Sequence, residues 1–251
     1  MTTQPSLLTT LKETFSFTFT LKHFKELVKI SLLPIAILIG IEFFNIYENI
    51  ALEPKWMALL MVAIGSLVQA FWAPKWIQYC HAPNTHVKLF EVSKDNLEFF
   101  GYRFLIGAFV LLWAILFSPV MQVLEFTATL VDHNPFVKYS LKTIVILLGL
   151  TLIIVLYARY SFKFVAISLS KKMSLNSAWK HTAPFALQLY LIQILSETKL
   201  GYSLGYFGFF ESFLAGHGMF WLQLFTLAFS GIVSALYFCA VTKLYKHSSH
   251  K

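Results

Sequence analysis

Six long apolar stretches constrain the fold of this chain more than any other feature of its sequence. A helix needs about 20 mostly apolar residues to cross a bilayer, and backbone polar groups must bond within the segment because lipid offers them no water. The sequence therefore predicts an all-α membrane protein with six transmembrane helices, at roughly Lys29–Tyr47, Met57–Trp76, Phe104–Leu124, Thr143–Tyr160, Thr182–Ser196 and Phe220–Leu244. The fifth stretch is the weakest, because it is short and contains Gln188 and Gln193.

The composition agrees with a membrane protein. Hydrophobic residues make up 57% of the chain and charged residues only 13%, whereas a soluble domain carries roughly 25% charged residues. The N-terminal segment MTTQPSLLTTLKE lacks a basic region followed by a short apolar block, so no cleavable signal peptide is expected and the first span should direct insertion. The two cysteines indicate no disulfide framework.

Lysine and arginine residues are divided unequally between the two sides of the predicted spans. The N-terminal segment, the second loop, the fourth loop and the tail hold four, four, five and three of them, among them Lys75, Arg159 and Lys163, and four of the 20 remain for the other side. Because such residues mark cytoplasmic loops, both termini are predicted to be cytoplasmic. The net charge of +8 predicts contact with anionic lipid head groups at the cytoplasmic face. No nucleic-acid partner is expected, since no soluble module could carry that site.

A short pattern recurs before each odd-numbered span. The segments SLLTTLKET, KLFEVSKDN and SLNSAWKHT each contain a leucine five residues before a lysine, namely Leu7 and Lys12, Leu89 and Lys94, and Leu175 and Lys180. The pattern predicts a single integral membrane domain, 1–251, made of three units at about 6–80, 88–165 and 174–246. Each unit would consist of an interfacial helix followed by a pair of spans.

The first residues of these units have local roles that can be predicted. Ser6 and Ser174 are expected to cap helices by accepting a backbone N–H. The helix that follows Ser6 would have one apolar face at the bilayer surface, formed by Leu7, Leu8, Leu11 and Phe15, with Lys12 and Lys22 among the head groups. The stretch FSFTFTL alternates with period two, which favours a strand. A lone strand would have unpaired edges, so a helix or a helix break is expected there.

The region from Ala158 to Leu195 combines two short motifs. A span ends in Arg-aromatic-Ser, a hinge follows, and a helix begins with Ser-Leu-x-x-Ala-aromatic; the matching positions are Arg159, Tyr160, Ser161, Ser174, Leu175, Ala178 and Trp179. In these positions the chain resembles the YciC-like family of uncharacterised six-span bacterial inner-membrane proteins. It is also similar to the membrane domain that precedes some glycerophosphodiester phosphodiesterases. The resemblance implies a bacterial inner-membrane location and a role in envelope and lipid maintenance, without phosphodiesterase activity.

Two further patterns are typical of enzymes or metal sites. GYSLG, with Ser203 at its centre, matches the G-x-S-x-G nucleophile elbow, and Glu211 and His217 follow it. An elbow needs a strand and a helix of an open α/β sheet around it, so no catalytic role and no enzyme activity are predicted. A predicted cytoplasmic loop contains Cys80, His81 and His86, but zinc sites need repeated ligand pairs. No metal or other cofactor is therefore expected.

Polar residues inside the predicted spans form the candidate site. Burying them in lipid is costly, and six of them could form a polar vestibule open to the outer side: Glu42, Gln69, Gln122, Gln193, Glu197 and Gln223. Such a vestibule would suit a cationic or zwitterionic lipid head group. The alternative, which the sequence favours, is that Glu42 reaches interfacial water and the glutamines hydrogen-bond between helices.

Two functions are compatible with these features. The first is an uncharacterised multi-pass inner-membrane protein without catalytic activity, which maintains the envelope or its lipid membrane through interfacial helices and membrane-protein partners. The second is a small transporter or lipid-handling protein with a polar site between its helices. The sequence favours the first, because no set of residues in it has the spacing of a catalytic site.

Overall fold

The computed structural model describes residues 5–43, 56–83, 92–131, 151, 154–194 and 218–249. Every regular element within these ranges is helical, which confirms the all-α fold class. The helices are α1 (Leu7–Phe19), α2 (Leu21–Phe43), α3 (Trp56–His81), α4 (Lys94–Val131), α5 (described over 154–168), α6 (Leu175–Thr182), α7 (described over 186–194) and α8 (Gly218–Ser249). A 3₁₀ turn, Ala183–Phe185, separates α6 from α7.

Two helices begin at the predicted serine caps. The Ser6 side chain accepts a hydrogen bond from the Thr9 amide at 3.1 Å, and the Ser174 side chain accepts one from the Ser177 amide at the same distance. Each bond satisfies an amide that the first turn of a helix leaves without a partner. The alternating stretch FSFTFTL is helical as far as Phe19 and breaks at an extended residue, Thr20. The predicted caps and the predicted helix break are confirmed.

Helix α4 begins with a reciprocal cap that also joins it to α3. The Asn96 amide donates to the Ser93 hydroxyl at 3.3 Å, and the Ser93 amide donates to the Asn96 side-chain carbonyl at 3.1 Å. The Asn96 side-chain amide in turn donates to the carbonyl of Ala70 in α3. Because α4 starts at Lys94, the lysine of the second predicted copy begins a helix, whereas those of the first and third lie inside α1 and α6. Leu89 lies outside the described residues.

Helices α3 and α8 pack side by side and run in the same direction. The indole Nε1 of Trp76 donates to the carbonyl of Ala235 at 2.8 Å. One turn further along both helices, the thiol of Cys80 lies within hydrogen-bond distance of the thiol of Cys239. Residues that advance by four positions on each helix meet in the same order, so the two helices are parallel.

Aromatic rings join α4, α5 and α8 in the buried core. The ring of Phe99 in α4 lies 5.0 Å from that of Phe164 in α5 and 6.2 Å from that of Phe238 in α8, centroid to centroid. Trp76 and Phe162 are also fully buried in this core. Ring pairs at these distances stabilise a fold by about 0.5–1.5 kcal/mol beyond the burial of their surface.

The chain leaves α5 through a Schellman turn. The Ser170 amide donates to the Ile167 carbonyl at 2.9 Å and the Lys171 amide to the Ala166 carbonyl at 2.8 Å, the two bonds that define this helix end. Ser170 has a positive φ of 54°, a conformation that costs most residues roughly 1–2 kcal/mol. Its hydroxyl hydrogen-bonds to the carboxylate of Asp95 near the start of α4. This turn sets the position of α6 against α5.

Two helices extend beyond the spans predicted from sequence. Helix α3 continues past Trp76 to His81, and α5 continues past Tyr160 to residue 168. Lys163, which the sequence assigns to a loop, therefore lies inside α5 and is buried. Lys75 and Arg159, which are counted with the loops but lie at the ends of predicted spans, are also buried inside helices. Across the residues that the structure describes, no helix has both the length and the apolar character needed to cross a membrane. The six-span arrangement stays a prediction.

Candidate functional site

The motif residues near Arg159 form a joint between α5 and α6. The guanidinium of Arg159 lies 4.2 Å from the centroid of the Trp179 ring and donates from Nη2 to the Trp179 carbonyl at 2.6 Å. The hydroxyl of Thr182 donates to the Arg159 carbonyl at 3.1 Å, and the ring of Tyr160 lies 5.7 Å from that of Trp179. Arg159 is buried, and these contacts replace the water that its charge loses. The motif therefore holds α6 against α5.

Lys163 lies one turn further along α5 and is paired with α4. Its ammonium nitrogen is 3.2 Å from Glu98 Oε1 and 4.6 Å from the centroid of the Tyr102 ring. The side chain of Lys163 is 8% exposed, whereas that of Glu98 is 41% exposed. A buried ammonium needs compensating charge. The carboxylate and the ring face supply that charge, but only the lysine is fixed by burial.

A groove beside Lys163 separates α4 from α5. Its volume is about 290 Å³, which is at the lower end of the roughly 300–1,000 Å³ of ligand pockets. Three of its lining residues carry a polar group, Lys163, Tyr102 and Tyr160. The other lining residues are apolar: Leu105, Ile106 and Phe109 of α4, Leu156 and Phe164 of α5, and Leu175 of α6. An apolar groove with one lysine in its lining suits an amphiphile with an anionic group.

Other cations near the predicted cytoplasmic ends of the spans also lie over aromatic rings. Arg103 lies 5.1 Å from the Tyr157 ring centroid, joining α4 to α5. Lys243 lies 5.7 Å from that of Phe17 and is 3.6 Å from a carboxylate oxygen of Glu13, which joins α8 to α1. Each contact of this kind contributes about 0.5–1 kcal/mol at an exposed site. These basic residues therefore connect neighbouring helices in addition to being in contact with solvent.

A second polar contact joins α2 to α3. The Nδ1 atom of His23 is 2.7 Å from the hydroxyl of Tyr79, and the His23 ring is stacked on Phe17 with centroids 4.0 Å apart. Burial lowers the pKa of His23 below its usual 6.5, and the nearby Lys22 lowers it further. Burial, with Glu26 as a second cause, raises the pKa of Tyr79 above 10. The contact therefore favours a neutral imidazole and a neutral phenol.

The structure describes only part of the predicted polar vestibule. Gln193 is buried in α7, and Gln69 is half-buried in α3. Glu42, Gln122 and Gln223 fall within α2, α4 and α8, but their side chains are outside the described part of the chain. Glu197 lies outside the described residues altogether. The vestibule stays a prediction.

The patterns typical of enzymes and metal sites lie largely outside the described ranges as well. GYSLG, Glu211 and His217 are not among the described residues, and neither is His86. Cys80 and His81 form the last turn of α3 instead of a loop. Within the described ranges, no group of three or more His, Cys, Asp or Glu residues could hold a metal ion.

Of the residues that line the groove, the sequence pointed to Tyr160 and Leu175 as motif positions, but it did not indicate the groove or the role of Lys163 and Tyr102. Lys163 follows Arg159 by four positions, and Tyr102 follows Glu98 by four, so each pair shares one face of a helix. This spacing was the available signal. The spacing could not be used for Lys163, because the predicted span ended at Tyr160. In addition, Glu98, the partner of Lys163, lies in a helix 65 positions earlier in the chain.

Comparisons of the chain with protein-family models, with curated proteins and with solved structures find no match. The resemblance to the YciC-like family stays a prediction that rests on its motif positions. The function of the chain must be argued from its own geometry and sequence.

Proposed function

We propose that the chain is a multi-pass protein of the bacterial inner membrane, with both termini cytoplasmic, and that it maintains the envelope or its lipid membrane without catalysis. The six apolar stretches and the one-sided distribution of Lys and Arg support this proposal. So does the resemblance around Arg159 and Trp179.

The orientation of α1 is the observation that carries the proposal. Three threonines spaced by four residues are buried against the protein: Thr10, Thr14 and Thr18. On the opposite side Leu8 is 77% exposed, Phe15 46% and Phe19 49%. In water a helix buries leucine and phenylalanine and exposes threonine. Leu7 and Leu11 of the predicted surface face pack against the core instead, as Phe17 does. The exposure of Leu8, Phe15 and Phe19 is favourable where the outer side of the helix lies in the apolar part of a bilayer.

The surroundings of α1 support the same location. Lys12 and Lys22 are exposed close to its apolar face, where a basic residue gains about 1 kcal/mol from anionic head groups. Large exposed apolar side chains also occur on other helices, such as Leu32 of α2, Leu112 of α4 and Leu187 of α7. Scattered apolar residues are normal on a protein surface, but on α1 Leu8, Phe15 and Phe19 are exposed together on one side, while Leu7, Leu11 and Phe17 pack against the core.

Spin labels on α1 test this orientation. A nitroxide is attached at Phe15→Cys or, as the control on the other side of the same helix, at Glu13→Cys, whose native side chain is 56% exposed, in a chain whose Cys80 and Cys239 are replaced by alanine. In liposomes of phosphatidylglycerol and phosphatidylcholine, the label at position 15 should be relaxed by oxygen, which concentrates in lipid. The label at position 13 should instead be relaxed by a water-soluble nickel chelate. Equal access of the nickel chelate to both labels would refute the proposed location of α1.

The envelope role is tested in a strain that lacks the protein. Replacing Leu8, Phe15 and Phe19 together by glutamine should abolish rescue of the detergent sensitivity of that strain, because α1 would leave the bilayer surface. Lys12→Gln removes one charge and should retain most of the rescue. Full rescue by the triple variant would contradict a role that depends on α1.

A further inference from the structure

The groove between α4 and α5 combines an apolar lining with a basic residue, Lys163. Its lining is apolar along Leu105, Phe109 and Leu156 and includes Lys163 and Tyr102, and the Lys163 ammonium lies 4.6 Å from the centroid of the Tyr102 ring. A soluble anion would gain nothing from the apolar walls, and a neutral hydrocarbon would gain nothing from the ammonium. Both parts are used by a molecule that has an acyl chain and an anionic head.

We propose that this groove binds one anionic phospholipid of the inner leaflet, with its phosphate at Lys163 and one acyl chain along the apolar walls. This inference rests on the proposed membrane location, which brings the lipid to the groove. Basic pockets between helices on the cytoplasmic side are typical binding sites for anionic head groups. A volume of about 290 Å³ favours a single chain, since it is at the lower limit of ligand pockets.

The charges around the groove favour an anion. Arg103 and Arg159 lie on the same two helices as the groove, each over an aromatic ring, and Glu98 is the carboxylate that faces Lys163. Glu98 is the more exposed partner, so its side chain can turn into water at little cost, whereas Lys163 stays in place. A lipid phosphate can then replace the carboxylate at the ammonium. Glu98 is in this sense a competitor of the lipid.

This competition predicts opposite effects for the two partners. Lys163→Gln should lower the affinity for phosphatidylglycerol about tenfold, the loss expected when one charge-assisted hydrogen bond is removed. Glu98→Gln should raise the affinity several-fold, because the ammonium becomes free for the phosphate. The affinity for phosphatidylcholine should change little in either variant. General damage to the fold would lower the affinity for phosphatidylglycerol in both variants. It could not raise the affinity in one variant and lower it in the other.

The apolar wall is tested separately with a matched pair on α4. Leu105 and Leu97 are both 62% exposed, but only Leu105 lines the groove. Leu105→Trp should fill the groove and reduce binding of both lipids, whereas Leu97→Trp should leave binding unchanged. Equal effects of the two substitutions would exclude the groove as the position of the acyl chain.

The measurement is native mass spectrometry of the full chain, released from nanodiscs that contain equal parts of phosphatidylglycerol and phosphatidylcholine. The expected result is one retained phosphatidylglycerol per chain. Retention of both lipids in equal amounts, or effects of the same sign in Lys163→Gln and Glu98→Gln, would overturn the inference. If Lys163→Gln does not fold, Glu98→Gln and Lys163→Arg decide the question, since the arginine should retain the preference.

Failure of this inference can be distinguished from failure of the proposed function. A chain that enters membranes but retains no lipid selectively would refute only the lipid site. A chain that stays dispersed without detergent would refute the membrane role. In that case, titration with dispersed short-chain phosphatidylglycerol would still test whether Lys163 and Glu98 act in opposite directions, and the absence of such effects would refute the site too.

Discussion

Threonine, a residue that usually faces water, lines the protein-facing side of α1, and its three hydroxyls differ in their partners. The hydroxyl of Thr10 donates to the Ser6 carbonyl at 3.1 Å, whereas the buried hydroxyl of Thr18 has no hydrogen-bond partner among the described residues. The buried hydroxyl of Thr14 has no partner among the described residues. A buried polar group without a partner costs about 1–3 kcal/mol.

Thr14→Val is therefore expected to stabilise the protein by about 1 kcal/mol, because valine has nearly the same shape and no hydroxyl. Thr10→Val is the matched control, since it removes a hydroxyl that has a partner and should not stabilise. The free energy of unfolding in mild detergent, followed by tryptophan fluorescence, compares the two variants with the parent. A decrease in stability for Thr14→Val would show that its hydroxyl is bonded in solution.

His23 makes stability depend on pH. Its pKa is lowered in the folded chain by burial and by Lys22, so the unfolded chain binds the proton more readily than the folded chain does. The stability that comes from the neutral ring is complete above the unfolded pKa of about 6.5 and decreases as the pH falls below that value. Loss of the bond to Tyr79 when the ring is doubly protonated acts in the same direction if the ring accepts from the phenol.

The unfolding temperature in detergent should therefore fall between pH 7.5 and pH 5.5, and part of this fall should be missing in His23→Gln, which cannot be protonated. The difference between parent and variant isolates His23 from the other histidines. An identical pH dependence in both proteins would show that His23 does not contribute.

At the scale of elements, the parallel pairing of α3 with α8 brings the two cysteines together. A membrane-permeant oxidant should join Cys80 to Cys239, with each thiol losing one proton and one electron to the oxidant. One of the two thiols must ionise before it attacks, so the reaction should speed up as the pH rises. Intact mass spectrometry should show the loss of two hydrogens, reversed by a thiol reductant.

Cys80→Ser should abolish this change in mass. If the disulfide instead joined two separate chains, the two cysteines would not be neighbours within one chain. This result would contradict the packing of α3 against α8 that the Trp76–Ala235 hydrogen bond indicates.

The ends of helices show which elements could be predicted. The caps at Ser6 and Ser174 and the break at Thr20 depend on bonds to neighbouring residues, so local sequence was sufficient. The ends of α3 and α5 depend on cations that are buried by contacts from other helices, as Lys163 is by Glu98. A basic residue with no partner nearby in the sequence indicates a loop. Only its partner on a distant helix shows that it lies inside a helix.

At the scale of the whole molecule, the sequence predicted the all-α fold class, and the resemblance marked motif positions without assigning them to a site. Arg159 and Trp179 were identified as motif positions, and they are in contact. The groove was not predicted, because its two walls come from α4 and α5 and their spacing is a property of packing. The described core, with Trp76, Phe162 and Leu244 among its fully buried side chains, likewise unites residues that are far apart in the chain.

Helix α1 is in contact with residues that are far from it in the sequence, and this has a consequence for biosynthesis. Lys243 joins α8 to α1 through Glu13, and the side-chain amide of Gln188 donates to the carbonyl of Pro5 at 2.7 Å, across 183 positions. Helix α1 leaves the ribosome long before α8 does, so its threonines stay uncovered until α8 has been synthesised. During that time the nascent chain exposes this surface to the insertion machinery and to any chaperone at the membrane.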